Sequence, residues 1–462
     1  MGYLSRIIGP VAITAMVAPV TGQAANDIDA LRAEIAALKA EYAQRVTALE
    51  ARIEHLETSA TTAAAPAQVE PPPPTPAAPA RNSSAFNPAI SVILAGNYAD
   101  LAQDPADFNF AGFVPSGGEI GPGDRSFNLG ESEVTFAASV DPYFSAALTM
   151  ALSAEGEIGV EEAFARTTSL PAGFSVKGGR FFSGFGYLNE IHAHAWDFVD
   201  QPLVYQALYG GQYGQDGVQV KWLAPTDLFL EFGAETGNGG EFPGTRLGRN
   251  GLNGTTLFTH VGGDLGDSIG WRTGLSWMDL DAEDRTYEDA DSLGNPVVNS
   301  FTGSSATWIV DATLKWTPAS STRRQAFKLQ AEYMRRTEDG SLACDVAGAG
   351  LSDSYRSEQD GWYLQGVYQF NPRWRFGLRY DALDAGSTRI GLVQGGELLA
   401  SDFPLLLPAS PNRITTMIDF SPSEFSRLRA QYAWDDSRAA ETDRQLLLQY
   451  IYALGAHGAH KF

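Results

Sequence analysis

Cysteine is almost missing from this chain of 462 residues: Cys344 stands alone, so no disulfide can form within one molecule. Long apolar runs are missing too. Ile7 to Val20 is too short to span a bilayer as a helix and carries Pro10 and Pro19, and from Phe86 onward no stretch is apolar enough. Positive charge is scarce: 32 Lys and Arg against 55 Asp and Glu give a net charge of −23, which argues against a general nucleic-acid binder. Only 19% of residues are charged, low for an acidic soluble protein, while glycine (48) and aromatics (11%) are plentiful. That balance suits a chain that turns often and presents aromatic rings to an interface.

The first 85 residues divide into three segments. Residues 1–24 have the layout of an export signal peptide: Met1 and Arg6, the apolar Ile7–Val20, then the small residues of Gly22-Gln23-Ala24 at a cleavage site. Residues 25–59 predict a coiled-coil helix. Ile28, Leu31, Ile35, Leu38 and Tyr42 recur at heptad spacing, Val46, Leu49, Ile53 and Leu56 resume it after a stutter, and Arg and Glu flank the stripe. A lone helix of this kind is marginal in water, so the stripe needs a partner, most simply another copy. Residues 60–85, with Pro71-Pro72-Pro73-Pro74, read as a semi-rigid Pro/Ala-rich linker.

From 86 to 462 the apolar period is two. Phe144, Ala146, Leu148, Met150 and Leu152 alternate with Ser145, Ala147, Thr149 and Ala151; Trp308, Val310, Ala312, Leu314 and Trp316 alternate with Ile309, Asp311, Thr313 and Lys315; Trp374, Phe376, Leu378 and Tyr380 alternate with Arg375, Gly377, Arg379 and Asp381. Sixteen such segments fall between 89 and 454, with aromatics at the ends of the apolar faces. Short links such as Asp141-Pro142-Tyr143 and Asn371-Pro372-Arg373 alternate with longer ones, among them 184–214, 279–305, 337–360 and 384–412. The expected fold is all-β: a 16-stranded antiparallel transmembrane β-barrel in the Gram-negative outer membrane, preceded by an N-terminal α-helical coiled coil on the periplasmic side. Lipid is then one partner, and Phe462, in the parity of Leu446 to Leu454, resembles the terminal signal read by the barrel-assembly machinery.

Inward parity selects an acidic set on the early strands (Glu131, Glu133, Glu162, Asp216, Glu231, Glu235) and a basic set on the later ones (Lys315, Lys328, Arg336, Arg375, Arg379, Arg413, Arg427, Arg429), with Glu332, Asp381 and Asp419 interspersed. Barrel closure would set one wall against the other across a pore and orient charged solutes; charges that merely keep a wide channel wet are the plainer alternative. The loop 184–214 carries Tyr187, His192, His194, Trp196, Asp197 and Asp200 and is the candidate constriction. Of the 6 histidines, four form two tight pairs, His192/His194 and His457/His460. With Asp197 and Asp200 near the first pair, they are candidate ligands for an ion such as zinc, against the plainer reading as loop residues; no other cofactor is expected.

The order of coiled coil, Pro-rich spacer and barrel resembles the phosphate-selective porins, as does Val160-Glu161-Glu162-Ala163-Phe164 followed by Phe174-Ser175-Val176-Lys177-Gly178-Gly179-Arg180-Phe181-Phe182-Ser183-Gly184-Phe185-Gly186. The resemblance implies a homotrimer of channels. The family's anion selectivity comes from an arginine ladder and a lysine cluster, which a lumen of mixed sign does not reproduce. The His motifs also look like those of zinc-linked barrels grouped with TonB-dependent receptors. The expected function is passive diffusion of small hydrophilic or charged solutes. The alternative is a TonB-dependent or zinc-linked receptor lacking a plug, since nothing in residues 25–85 would fill a lumen. An enzyme is not expected: Ser183 and His192 are close in sequence but have no supporting motif.

Overall fold

A computed structural model describes residues 88–455 apart from 118–119, 155, 246–249, 319–323 and 440. The export signal, coiled coil, linker, His457, His460 and Phe462 lie outside the described residues. β1 (Ala89–Leu101) pairs on one side with β17 (Asp443–Gly455), and on the other with both β2 (Ser126–Leu129) and β3 (Ser132–Ser139). The sheet thus closes on itself. β2 and β3 are consecutive pieces of one stave, so the seventeen segments make a barrel of sixteen staves, all antiparallel to their neighbours. At the break, the Ser132 hydroxyl accepts from the Ala95 amide (3.1 Å) and stands in for a backbone carbonyl.

One half of the wall is low. β4 (Phe144–Leu152), β5 (Ile158–Thr167), β6 (Phe174–Phe182), β7 (Gly214–Leu223) and β8 (Phe229–Gly237) are 9 or 10 residues long, close to the ~9–11 that cross a bilayer. β9 (Gly254–Leu265) leads to a tall half: β10 (Ile269–Ala290), β11 (Pro296–Trp316), β12 (Ala326–Cys344), β13 (Leu351–Asn371) and β14 (Trp374–Ile390) have 17 to 22 residues each. β15 (Asn412–Ser423) and β16 (Ser426–Asp436) complete the circuit. Among the described residues, two short α-helices lie in the connections: α1 (Leu203–Tyr209), and α2 (Gly391–Gln394).

Tight turns occupy one rim, and two of them use the same device. The Asp141 carboxylate accepts from the amides of Tyr143 and Phe144 (2.7 and 2.8 Å), and the Asn371 side-chain Oδ1 from those of Arg373 and Trp374 (2.9 and 3.1 Å), with Pro142 and Pro372 setting φ. Toward mid-wall the alternation runs as expected: Trp308 is 54% exposed and Val310 47%, whereas Ile309 and Asp311 are buried. The outward belt continues through Leu364, Phe376, Leu378, Ile414, Ile418, Leu428, Leu446 and Leu448. Apolar surface on this scale is unstable against water and belongs against lipid. Trp308 and Trp316 bound it on β11, eight residues or ~26 Å apart along the strand.

The segments 279–305 and 337–360, expected as loops, are instead mostly strand. Above the belt the chemistry of the two faces inverts, and on β10 an extra residue between Ala282 and Arg285 shifts the phase of the alternation by one. On β10 the buried residues become Leu280, Ala282 and Tyr287, while Asp284, Thr286 and Glu288 face out. Water outside and protein inside replace lipid outside and polar groups inside. Tyr287, Phe301, Leu342 and Tyr355 form a core with Leu392, Phe403 and Leu406 of the connection that follows β14. A reading tuned to apolar outer faces stops where the faces exchange roles.

Leu378→Arg, in the middle of the outer belt, is expected to cost about 2–4 kcal/mol in denaturant unfolding from lipid vesicles, whereas Thr286→Arg on the extension should be nearly neutral.

Candidate functional site

The connection between β6 and β7 turns into the barrel. Its neck is tied by Asn189, which donates to the carbonyls of Ser183 (2.8 Å) and Tyr213 (2.9 Å) and accepts from the Tyr213 amide. Glu235 of β8 receives the Ser183 hydroxyl (2.6 Å) and the Gly184 amide (2.8 Å). Beyond the neck, every residue of α1 is buried, and Phe185, Tyr205, Tyr209 and Tyr213 cluster with Ile309, Met334 and Leu383 from the tall wall. Glu332 of β12 gathers four donors: the Tyr187 and Leu188 amides (both 3.1 Å), the Tyr205 hydroxyl (2.8 Å) and the Tyr363 hydroxyl (2.5 Å).

Both charged walls exist, and both hold this loop. Asp197 pairs with Lys328 and with Arg375 (2.8 Å); Asp200 pairs with Arg379 (2.9 Å) and Arg413 (2.6 Å). Arg427 and Arg429 donate to the Trp196 carbonyl (3.1 and 2.8 Å), and Arg336 to that of Leu208 (3.0 Å). Burial alone would raise the Asp200 carboxyl, but Arg413 and Arg379 outweigh it and push it down to about 2. Asp197 is likewise held well below the usual carboxylate range, Lys328 and Arg375 overcoming its burial.

At the opposite wall, His192 Nδ1 lies 3.2 Å from Glu161 and 3.4 Å from Glu133, its Nε2 3.0 Å from Glu162, and His194 Nδ1 2.7 Å from Glu133. Burial would lower the His192 imidazole, yet its hydrogen bonds to Glu133, Glu161 and Glu162 hold it well above its ordinary value. Two adjacent glutamates reach one ring because β5 carries a bulge: Glu162 pairs with Thr149 and Val160 with Met150, leaving Glu161 over. Bulges re-aim side chains in this way.

Between the loop and the wall formed by β17, β1 and the β4–β5 hairpin lies a cavity of about 850 Å³. Its described lining includes Asp124, Glu131, Glu157, Glu161, Asp200 and Glu241 and no lysine or arginine. The expectation of acidic and basic walls facing each other across open water therefore fails. Arg336, Arg379, Arg413 and Arg429 point inward but are at most 3% exposed, covered by the loop whose acids and carbonyls they bind. Lys315 lies opposite Lys328 in the β11–β12 register. Glu231 pairs with Lys221 (3.6 Å) and His260 (3.3 Å), away from the cavity lining. Asp216 faces outward, not inward, where it binds Arg180 (2.7 Å).

Of the proposed metal ligands, His192 and His194 come together, but Asp197 and Asp200 do not join them, being drawn to the arginines across the barrel. Glu161 was missed, because strict alternation puts it on the lipid side. The signal was the Glu-Glu pair itself: one of two consecutive carboxylates in a flat strand would face lipid, and a bulge relieves that. The motif Phe174–Phe182 forms β6, and at Gly179 (φ +128°) any Cβ would meet the Ala163 carbonyl of β5, so glycine is required there.

No family model matches the sequence. An "Uncharacterized protein" of Aquifex aeolicus (strain VF5) is 32% identical over 356 residues, covering 73% of this chain and 70% of that one. Similar solved structures include the trimer form of OmpT, an outer membrane protein of Vibrio cholerae (10% identity, TM-score 0.48, 79% of this chain and 99% of that one). The outer membrane channel DcaP of Acinetobacter baumannii gives 13% identity and a TM-score of 0.47 over 79% and 97% of the two chains. An anion-selective porin from Comamonas acidovorans gives 11% and 0.47 over 79% and 99%.

Two outcomes follow for the loop. Asp200→Asn leaves Arg379 and Arg413 short of a buried partner, so loop docking should weaken by about 3–5 kcal/mol, read as faster amide hydrogen exchange over 203–209. Because the folded Asp200 carboxyl lies below its ordinary value of 3.8, its contribution is complete above that value and fades as pH falls through about 2. Exchange protection of 203–209 should therefore survive at pH 4 and decline only in stronger acid.

Proposed function

We propose that this chain, which belongs to the same family as the Aquifex aeolicus protein, is an outer-membrane channel through which small hydrophilic solutes diffuse, cations in preference to anions. The loop 183–213 narrows its lumen. The observation that carries this reading is the division of charge: Lys328, Arg375, Arg379 and Arg413 are engaged in holding the loop through Asp197 and Asp200, while the space left beside it is also lined by Asp124, Glu131, Glu157, Glu161 and Glu241. A passage of that composition concentrates cations and repels anions. The pattern is the reverse of the basic ladder associated with phosphate selectivity. A TonB-dependent receptor draws no support from sixteen staves, since such transporters use about 22.

The unequal wall heights support association into a homotrimer through the low staves β3 to β8, which carry no tall extension to hold neighbours apart. The tight-turn rim then faces the periplasm and the extended hairpins face outward, as in bacterial barrels generally.

Reversal potentials across a planar bilayer under a KCl gradient test the channel. The wild type should favour potassium, and the triple substitution Asp124→Asn, Glu131→Gln, Glu157→Gln should bring selectivity close to parity while conductance persists. A wild-type preference for chloride, or no conductance at all, would overturn the reading.

A further inference from the structure

We propose that Glu133, Glu161 and His192 form a binding site for one divalent transition-metal ion of the zinc class, at the junction of the loop with β3 and β5. His192 Nδ1, a Glu133 oxygen and a Glu161 oxygen all lie within 4.8 Å of one another. The distances from Nδ1 are 3.4 Å to Glu133 Oε2 and 3.2 Å to Glu161 Oε2. Ligand atoms about 2.0–2.1 Å from a tetrahedral zinc ion stand roughly 3.3 Å apart, so both spacings already match the edge of such a tetrahedron.

The surroundings supply an independent observation. Metal-bound imidazoles present their second ring nitrogen to a carboxylate, which fixes the tautomer and orients the ring. Here His192 Nε2 lies 3.0 Å from Glu162 Oε2. The remaining oxygen of Glu133 is likewise steadied, 2.7 Å from His194 Nδ1. Three ligands, two of them with oriented supports, leave a fourth position for water, and Glu161 and His194 both line the cavity, which provides the route of entry. The bulge in β5 is what turns Glu161 into this cluster. A donor set of one imidazole and two carboxylates suits zinc-class ions better than calcium, which takes six to eight oxygens.

The site goes beyond the channel reading and fails separately from it. Calorimetric titration of zinc chloride into the full chain in detergent, in a His457→Ala/His460→Ala background that removes the other histidine pair, should show one ion per chain. Glu161→Gln should abolish binding or weaken it at least tenfold. Glu162→Gln should weaken it by about 10–100-fold, as loss of an orienting partner does. Glu358→Gln, on the outer hairpins, should change nothing. X-ray absorption at the zinc edge should show nitrogen and oxygen neighbours at about 2.0–2.2 Å. Absence of stoichiometric zinc, or binding that survives Glu161→Gln unchanged, overturns the site. If the chain conducts but takes no zinc, only the site falls; if it takes zinc but does not conduct, only the channel does.

Discussion

The interior depends on one electrostatic arrangement: a loop carrying two aspartates and two histidines, laid between a wall of arginines and a wall of glutamates. Asp197 and Asp200 would be costly to bury alone, and so would Arg379 and Arg413; each is tolerable only because the other is there. Loop and barrel therefore stabilise one another's charges. The arrangement also decides what remains for solvent, because a cation tied to Asp200 or to the Trp196 carbonyl has little field left to project into the cavity. The acidic character of the opening is a residue of the docking.

A second constraint is the surrounding medium, which changes along a single strand. β10 runs for 22 residues with one irregularity, between Ala282 and Arg285, yet its outward face passes from Leu275 to Thr286 and Glu288 as its inward face passes from Ser276 to Tyr287. The main chain stays paired across this exchange, with β11 accompanying β10 as far as Ala290 and β9 only as far as Leu280. Side-chain chemistry records where the strand leaves lipid.

These two constraints explain what could be read from the chain beforehand. The staves were legible because lipid demands an apolar face: Trp374, Phe376, Leu378 and Tyr380 declare β14 without any tertiary information. The upper hairpins were not, because a polar outer face with Leu280 and Tyr287 inside looks like a loop to a search for lipid-facing runs. Within the site, His192, His194, Asp197 and Asp200 were all singled out, but neighbours in sequence were grouped as neighbours in space. Opposite charge on the two walls separated them. Glu332 was seen as one acid among many, since nothing local reveals that Tyr187, Leu188, Tyr205 and Tyr363 converge on it.

The surplus residue in β5 gives the molecule an unusual evolutionary freedom. Because Glu161 has no counterpart on β4, deleting that single codon would heal the ladder, with Val160 and Glu162 keeping their own partners and every other stave undisturbed. Gain or loss of one carboxylate at the aperture is thus separable from the architecture that displays it. Related barrels could differ in what they attract while sharing every other pairing in the wall.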